Sequence, residues 1–351
     1  MERTKTAKPS LAKQMKKSLG KKPKETSKYH GSDEVVLSTG STLLDLAISG
    51  GRIREGGIPS GILVEAFGPN SSGKTVLLTE LAGAVQRQGG SVMFHDPEAR
   101  LNKQFARMFD LDTDDMDYET PDTIPQLFQA VRAWEPEGPK KVNGIFADSL
   151  AALSTDLEME SEEGDKMGMR RAKEFSEELR RTCRVLKQKN LLMVCSNQVR
   201  QSQNTYGPKY ISPGGEAIGF YSSLRLRFNQ PSKIKVEKTI RGKKVSKVIG
   251  IQTEIEVFKS SVWEPYHKAP ITILFDYGID SIRDELQFIK DHTKAKVYSL
   301  GGEPLDHSMN QAIAMIEEGG PTKVRQLREE VIDLWEELQR KFKVERKAKQ
   351  R

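Results

Sequence analysis

Long apolar runs are missing from this chain of 351 residues. No stretch approaches the roughly 18 residues that a membrane span needs, and the lysine-rich N-terminus is not followed by the apolar segment of a secretory signal. Both absences lead us to expect a cytoplasmic protein with no membrane partner. Cysteine is scarce: Cys183 and Cys195 are the whole complement, and they show no metal-ligand spacing, which argues against a disulfide framework and fits reduced thiols. No internal repeat is visible. A hydrophobic content of 36% is ordinary for a folded protein, so disorder does not describe the chain as a whole.

Positive charge is plentiful, and it sits at the ends. The formal net charge is +7, with basic residues gathered in "KQMKKSLGKKPKETSK" and "RKFKVERKAKQR". An acidic polymer is a natural partner for such a chain, although lysine-rich ends taken alone fit solvated tails equally well. Residues 1–34 read as a basic arm with one helix, in which Leu11, Met15 and Leu19 share a face at four-residue spacing. From Val35 onward apolar strands ("ILVEAF", "SVMFHD", "NGIFAD", "LLMVCSN") alternate with helical segments, including one from Pro125 to Trp134 and a charged one from Arg170 to Lys189. That order predicts an α/β fold with a mostly parallel central sheet covered on both faces. Between Ser222 and Phe275 the runs "SLRLRF", "TEIEVF" and "ITILF", joined by basic turns such as "RGKK", predict an antiparallel extension. The domains expected are the arm at 1–34, a core at 35–276 and a small α+β C-terminal domain with a basic tail at 277–351.

"GPNSSGKT" carries the first chemistry. Gly68, Gly73, Lys74 and Thr75 match G-x-x-x-x-G-K-[ST] between a strand and a helix on which Leu77, Leu81 and Val85 share a face. Gly68, Pro69, Asn70, Ser71, Ser72, Gly73 and Val76 form the loop that turns backbone N–H groups, all but that of Pro69, around phosphate oxygens, Lys74 neutralises the β and γ phosphates, and the Thr75 hydroxyl ligates Mg²⁺. A P-loop needs a second acidic group for the metal, and "NGIFAD" supplies Asp148 at a strand end, a position that also suits a helix N-cap. "MFHDPE" places Asp96 and Glu98 on the same sheet edge, where a carboxylate could orient an attacking water or stand as a solvated loop charge. ATP with Mg²⁺ is the cofactor pair expected.

The ordered series "STGSTLLDLAISGG", "GPNSSGKT", "HDPEARLN", "ADSLAALS", "EEGDKMGMRRA", "CSNQVR" and "PGGEAIGFYSSLRLRF" resembles the RecA family of homologous-recombination ATPases, from roughly Val36 to the C-terminal helices. The resemblance implies a RecA-like P-loop ATPase core, with Glu98 as hydrolytic base, Lys74, Thr75 and Asp148 holding MgATP, and Asn102 and Phe105 against adenine. It also implies that Gln198 senses the γ-phosphate and passes that state to the loop "VRQSQNTYGPKYISPGGE". That loop is long and irregular, and Arg200 and Lys209 with Tyr206 and Tyr210 make the mixture of cations and aromatics that single-strand binding uses. A second loop, "EMESEEGDKMGMRRAK", resembles the family's other DNA-contacting loop, with Met167 inserted between bases and Arg170 and Arg171 on phosphates; without the resemblance it reads as a charged helix start. The implied partners are single-stranded DNA, double-stranded DNA and further copies of the chain in a helical filament, with single-strand-binding and mediator proteins as candidates.

Three features depart from the family's pattern. "FKSSVW" keeps Lys259, one of two lysines that reach a neighbour's ATP, but has Ser261 at the second position, which puts cross-subunit activation in question; Lys268 is the nearest replacement. The C-terminal tail is basic where the bacterial members carry an acidic one, and the N-terminal arm is unusually basic. The leading expectation is therefore an ATP-dependent recombinase that pairs and exchanges strands. Its competitors are an accessory ATPase such as a recombination mediator, an ATP-gated coating protein with weak hydrolysis and, last, a small-molecule kinase, for which no lid or acceptor pocket is apparent.

Overall fold

The computed structural model describes residues 36–50, 56–136, 142–160, 167–201, 210–211, 216–344 and 346. The N-terminal arm, with its expected helix, lies outside them. In chain order the strands are β1 (Val36–Leu37), β2 (Ile58–Pro59), β3 (Leu63–Gly68), β4 (Val92–His95), β5 (Asp117–Glu119), β6 (Asn143–Ala147), β7 (Leu191–Gln198), β8 (Arg200–Gln201), β9 (Tyr210–Ile211), β10 (Leu224–Phe228), β11 (Ser232–Ile240), β12 (Lys243–Ser260), β13 (Lys268–Leu274), β14 (Gly278–Ile279), β15 (Tyr298–Leu300) and β16 (Glu303–Asp306). The helices are α1 (Thr42–Ser49), α2 (Lys74–Arg87), α3 (Lys103–Arg107), α4 (Ile124–Ala133), α5 (Asp156–Glu160), α6 (Met167–Lys189), α7 (Ala217–Tyr221), α8 (Ser281–His292), α9 (Met309–Glu318) and α10 (Gly320–Phe342).

Ten strands form one sheet in the order β14-β13-β12-β10-β3-β7-β6-β4-β5, with β11 paired to β12. The six strands from β10 to β5 run parallel. A parallel strand is covered on both faces, so its residues divide between two cores. Val64 and Ala66 of β3, Phe94 of β4, Phe146 of β6 and Val194 of β7 enter one core with α1, α2, α8 and α10. Their neighbours Leu63, Met93, Ile145 and Met193 enter the other, against Leu127 and Phe128 of α4 and Phe175 and Leu179 of α6. Capping follows the sequence: Thr123 opens α4 in a capping box with Gln126, with Pro125 in the first turn where its missing N–H costs nothing.

One expectation is corrected. "SLRLRF" was expected in the antiparallel extension, but β10 lies parallel to β3 and antiparallel to β12, so it is the strand at which the sheet changes direction. Its alternation of Leu224, Leu226 and Phe228 with Arg225 and Arg227 reflects charge pairing along one face. Arg225 Nε donates to Glu65 Oε2 at 2.6 Å, and Arg227 pairs with Glu256. Glu65 is fully buried and also accepts from Asn197 Nδ2 at 3.0 Å. We expect Arg225→Met to cost about 3–5 kcal/mol, because it strands a buried carboxylate, and Glu65→Gln to cost less. Urea unfolding of both variants checks this, and equal midpoints for parent and Arg225→Met would refute it.

The residues after 276 form α8, α9, α10 and the β15–β16 hairpin. Their Leu286, Ile289, Leu327, Val331 and Trp335 join the first core beside α1 and β13. Residues 31–351 thus behave as one compact unit. Buried polar contacts reinforce the seam: Thr42 Oγ1 donates to Glu285 Oε1 at 2.6 Å, and Thr272 Oγ1 donates to Asp284 Oδ1 at 2.7 Å. Burial pushes the Asp284 carboxyl up to about 7 and that of Asp45 up to about 6.

Beyond the sheet, β11 and the first half of β12 continue as a two-stranded ribbon. Arg241 and Gly242 close it, with φ of 51° and 77°, the double left-handed turn that matches strand twist in a two-residue hairpin. The ladder shifts by one residue between Ile234 and Lys235: Ile234 faces Gly250 but Lys235 faces Val248, leaving Ile249 as a bulge.

Candidate nucleotide site

The loop between β3 and α2 is built to turn its backbone inward. Gly73, at φ 97°, caps α2 without a side chain, and a Cβ there would stand 2.3 Å from Ile273 Cδ1. Glycine is required by both the conformation and the space. The first-turn N–H groups of α2, a helix of 14 residues, therefore have no side-chain acceptor at their cap and face a cleft of about 860 Å³.

Lys74 enters this cleft almost completely buried, and its ammonium donates to the carbonyls of Gly68 (3.2 Å) and Pro69 (2.7 Å). Burial lowers its pKa to about 8, against the pull of Asp148. Thr75 Oγ1 donates to Asp148 Oδ2 at 2.6 Å, and Ser196 donates to the other oxygen of the same carboxylate. A hydroxyl and a carboxylate at this separation are hard oxygen donors suited to Mg²⁺, which keeps its remaining positions for water and phosphate. Among the described residues there is no cluster of three or more His, Cys, Asp or Glu side chains that could hold a metal ion.

The two carboxylates of "HDPE" part company. Asp96 is buried, and its Oδ2 accepts from Leu101 N (2.7 Å) and Tyr118 Oη (3.0 Å), with the Tyr118 hydroxyl pushed up to about 12 chiefly by burial. Glu98 lines the cleft and makes an ion pair with Arg100 through Oε1 at 2.9 Å. Gln198, at the end of β7, and Phe105, in α3, also line the cleft. Asn102 does not; its side-chain oxygen caps α3 by accepting from Phe105 N at 2.7 Å, so it holds the short helix that presents Phe105. Lys259 lies away from the cleft, where its ammonium donates to the Gly219 and Phe220 carbonyls at 2.9 and 2.8 Å.

Ser196, Ile251, Ile273 and Phe275, with Phe94, Arg100, Leu101 and Ser149, complete the cleft, and the sequence did not single them out. Ser196 carried a usable signal, since it stands two residues before Gln198 on one strand and so shares its face. The opposite wall, from β12 and β13, had none, because its approach is set by pairings distant in sequence.

The expected DNA-contacting residues are placed in part. Arg170, exposed, and Arg171, which donates to the Ala151 carbonyl at 2.6 Å, stand in the first turn of α6; that helix begins at Met167, three residues before the expected start. Arg200 and Tyr210 belong to the short antiparallel β8–β9 pair that follows β7 directly. Tyr206 and Lys209 lie outside the described residues. No helix among the described residues is long and apolar enough to cross a membrane.

Because a nucleotide's phosphates attract an ammonium and gain no such attraction from an uncharged amine, affinity should follow the Lys74 proton. Bound phosphate raises the pKa above its free value of about 8, so affinity is complete below pH 8 and falls up to tenfold per pH unit above it. Titration calorimetry with a non-hydrolysable ATP analogue between pH 7 and 9.5 measures this, and a flat profile would remove Lys74 from the phosphate site.

Comparison with known proteins agrees with this geometry. Residues 7–280 match the family model described as the RecA N-terminal domain. Over 253 residues the chain is 34% identical to the Protein RecA of Thermus thermophilus, a match covering 71% of this chain and 69% of that relative.

Proposed function

The chain belongs to the RecA family, a family of DNA-dependent ATPases that act in recombination and repair, and from that premise we propose an ATP-dependent recombinase that forms helical filaments on single-stranded DNA and catalyses homologous pairing and strand exchange. The observation that carries this reading is a continuity of backbone. Gln198 lines the nucleotide cleft, and β8, which opens the cation- and tyrosine-bearing loop, starts two residues later on the same extended run.

In this proposal Lys74 and the α2 N-terminus hold the β and γ phosphates, Thr75 and Asp148 hold Mg²⁺, and Phe105 meets the adenine. The metal, when bound, neutralises charge on the transferring phosphoryl oxygens. Glu98 accepts a proton from the attacking water through the oxygen that Arg100 leaves available, and Arg100 holds the carboxylate in place. Gln198 reports the γ-phosphate to the loop, where Arg200, Tyr206, Lys209 and Tyr210, together with Met167, Arg170 and Arg171, take phosphates and bases. Lys259 serves the neighbouring protomer's nucleotide.

A coating protein with weak hydrolysis is the second reading, favoured by the serine at 261 and by the engagement of Lys259 with backbone carbonyls. Electron microscopy with single-stranded DNA and a non-hydrolysable ATP analogue, joined to a strand-exchange assay with ATP, tests the first reading. Regular filaments with exchange are expected. Filaments that never exchange strands would favour the coating protein, and the absence of filaments would overturn both.

A further inference from the structure

One cation in the nucleotide cleft has hydrogen-bonding capacity that the chemistry above leaves unused. Of the charged side chains lining the cleft, Asp96, Glu98 and Asp148 are set against two cations, Lys74 and Arg100. Lys74 is already engaged with the Gly68 and Pro69 carbonyls. Arg100 has a single partner among the described residues, Glu98 Oε1, which its Nη2 meets at 2.9 Å. A guanidinium carries five N–H donors in a planar fork, so most of those of Arg100 are uncommitted. Its side chain is 73% accessible, against 26% for Glu98. An exposed ion pair of this kind adds little to folding, which directs attention to its place inside the cleft.

The backbone on either side of Arg100 is fastened to one residue. The Asp96 carbonyl accepts from Ala99 N at 3.0 Å, and the Asp96 carboxylate accepts from Leu101 N at 2.7 Å. Asp96 is itself buried and braced by Tyr118 Oη. Between Glu98 and Arg100 the chain passes through Ala99 at φ 50°, in the left-handed region that a Cβ disfavours. Ala99 is exposed, so its own burial does not impose that conformation. Backbone strain of this sort gathers at functional sites whose surroundings over-determine it. Here it accompanies a turn in which Glu98 and Arg100 meet over the cleft.

We propose that Arg100 is a further catalytic residue, whose guanidinium bridges Glu98 and the terminal phosphate of a bound nucleoside triphosphate, so that the base is aligned only while that phosphate is present. The inference rests on the ATPase role given to Glu98 above. Glu98 acts on a water in line with the terminal phosphorus, so a fork held on Glu98 is placed for the terminal phosphoryl oxygens, whereas Lys74 and the α2 N-terminus serve from the P-loop side. A planar fork suits the task, because one edge can meet a carboxylate while another meets a phosphate. Arg100 moves no proton; the water's proton passes to Glu98. A nucleoside diphosphate lacks the phosphate that completes the bridge, so the same residue separates substrate from product.

The test uses the full chain with Arg100→Ala, titrated by calorimetry with a non-hydrolysable ATP analogue and with ADP, each with Mg²⁺ and without DNA. Hydrolysis on single-stranded DNA and the thermal midpoint are measured alongside. Affinity for the analogue should fall about tenfold, the loss of one charge-assisted contact, while affinity for ADP stays within about twofold. The turnover number should fall about a hundredfold, with the thermal midpoint unmoved. Arg100→Lys, a cation without the fork, should recover most of the analogue's affinity and little of the turnover. The analogue-specific loss should also appear when Arg100→Ala is added to Glu98→Gln, which a residue acting only through Glu98 does not produce. Parental affinity for the analogue in Arg100→Ala, equal losses for ADP and the analogue, turnover within about threefold of the parent, or full recovery of turnover by lysine would each overturn the proposal. The recombinase reading fails separately, in a parent that hydrolyses ATP but forms no filament on single strands; the nucleotide affinities, taken without DNA, are still compared directly.

Discussion

Lys74→Ala is expected to remove at least a hundredfold to a thousandfold of nucleotide hydrolysis while leaving the folded chain intact. The magnitude is that of deleting one preorganised charge from a site where negative charge moves during reaction, about 2.7–4 kcal/mol. The intact fold follows from the ammonium's surroundings. It contacts the Gly68 and Pro69 carbonyls on the edge of the cleft, and burial already opposes its charge, as its lowered pKa records. Removing it leaves carbonyls that water can reach and no buried partner charge, unlike the loss of Arg225 beneath Glu65. Steady-state hydrolysis in the presence of single-stranded DNA, set beside a thermal melt, separates these effects. Hydrolysis within tenfold of the parent would show that the ammonium does not face the reacting phosphate.

Glu98→Gln should do nearly as much damage to the rate and little to binding. A general base contributes about 10²- to 10⁴-fold, and glutamine keeps the shape of glutamate without its proton affinity. The Arg100 pair that disappears is largely exposed on the arginine side, so its contribution to stability is small. The variant should bind nucleotide with parental affinity and remain on DNA in the ATP-bound state. Asp96→Asn is the informative contrast. Asp96 holds Leu101 N and Tyr118 Oη, so its replacement should perturb the placement of the α3 segment and hence nucleotide affinity more than turnover of bound ATP. Parental turnover in Glu98→Gln would assign the base elsewhere.

The difference between these two neighbouring carboxylates also shows where local pattern stops being informative. "HDPE" reads as two acids on one sheet edge, and it is; which acid is available depends on Tyr118, supplied by the adjoining strand β5, whose three residues are all exposed and carry no apolar signal. The P-loop, the strands flanking it and the amphipathic helices were legible because phosphate cradling, double-sided burial and the 3.6-residue period each leave marks within a dozen residues. Strand direction leaves none. β10 has the same alternation whether it runs with β3 or against it, and the Arg225–Glu65 pair that explains its pattern joins residues 160 apart. Asn102 was legible as a polar residue at the right place, but its role as the cap of α3 depended on where that short helix begins.

The bulge at Ile249 determines the parity of everything beyond it. Before it, paired positions such as Lys233 and Ile251 keep one pairing offset; after it, Lys235 with Val248 and Val236 with Lys247 keep another, one residue smaller. Were the first offset continued, Glu237 would stand opposite Lys247, the two would neutralise each other, and the hairpin would have to close through three residues in place of Arg241 and Gly242. A single uncounted residue thus decides whether Glu237 faces a lysine of the opposite strand or leaves it unopposed, because slipping a strand by one position turns every side chain to the other side. The Ile249 carbonyl is fastened to Phe275 N at 2.9 Å, so the phase of the whole ribbon is set at the rim of the nucleotide cleft.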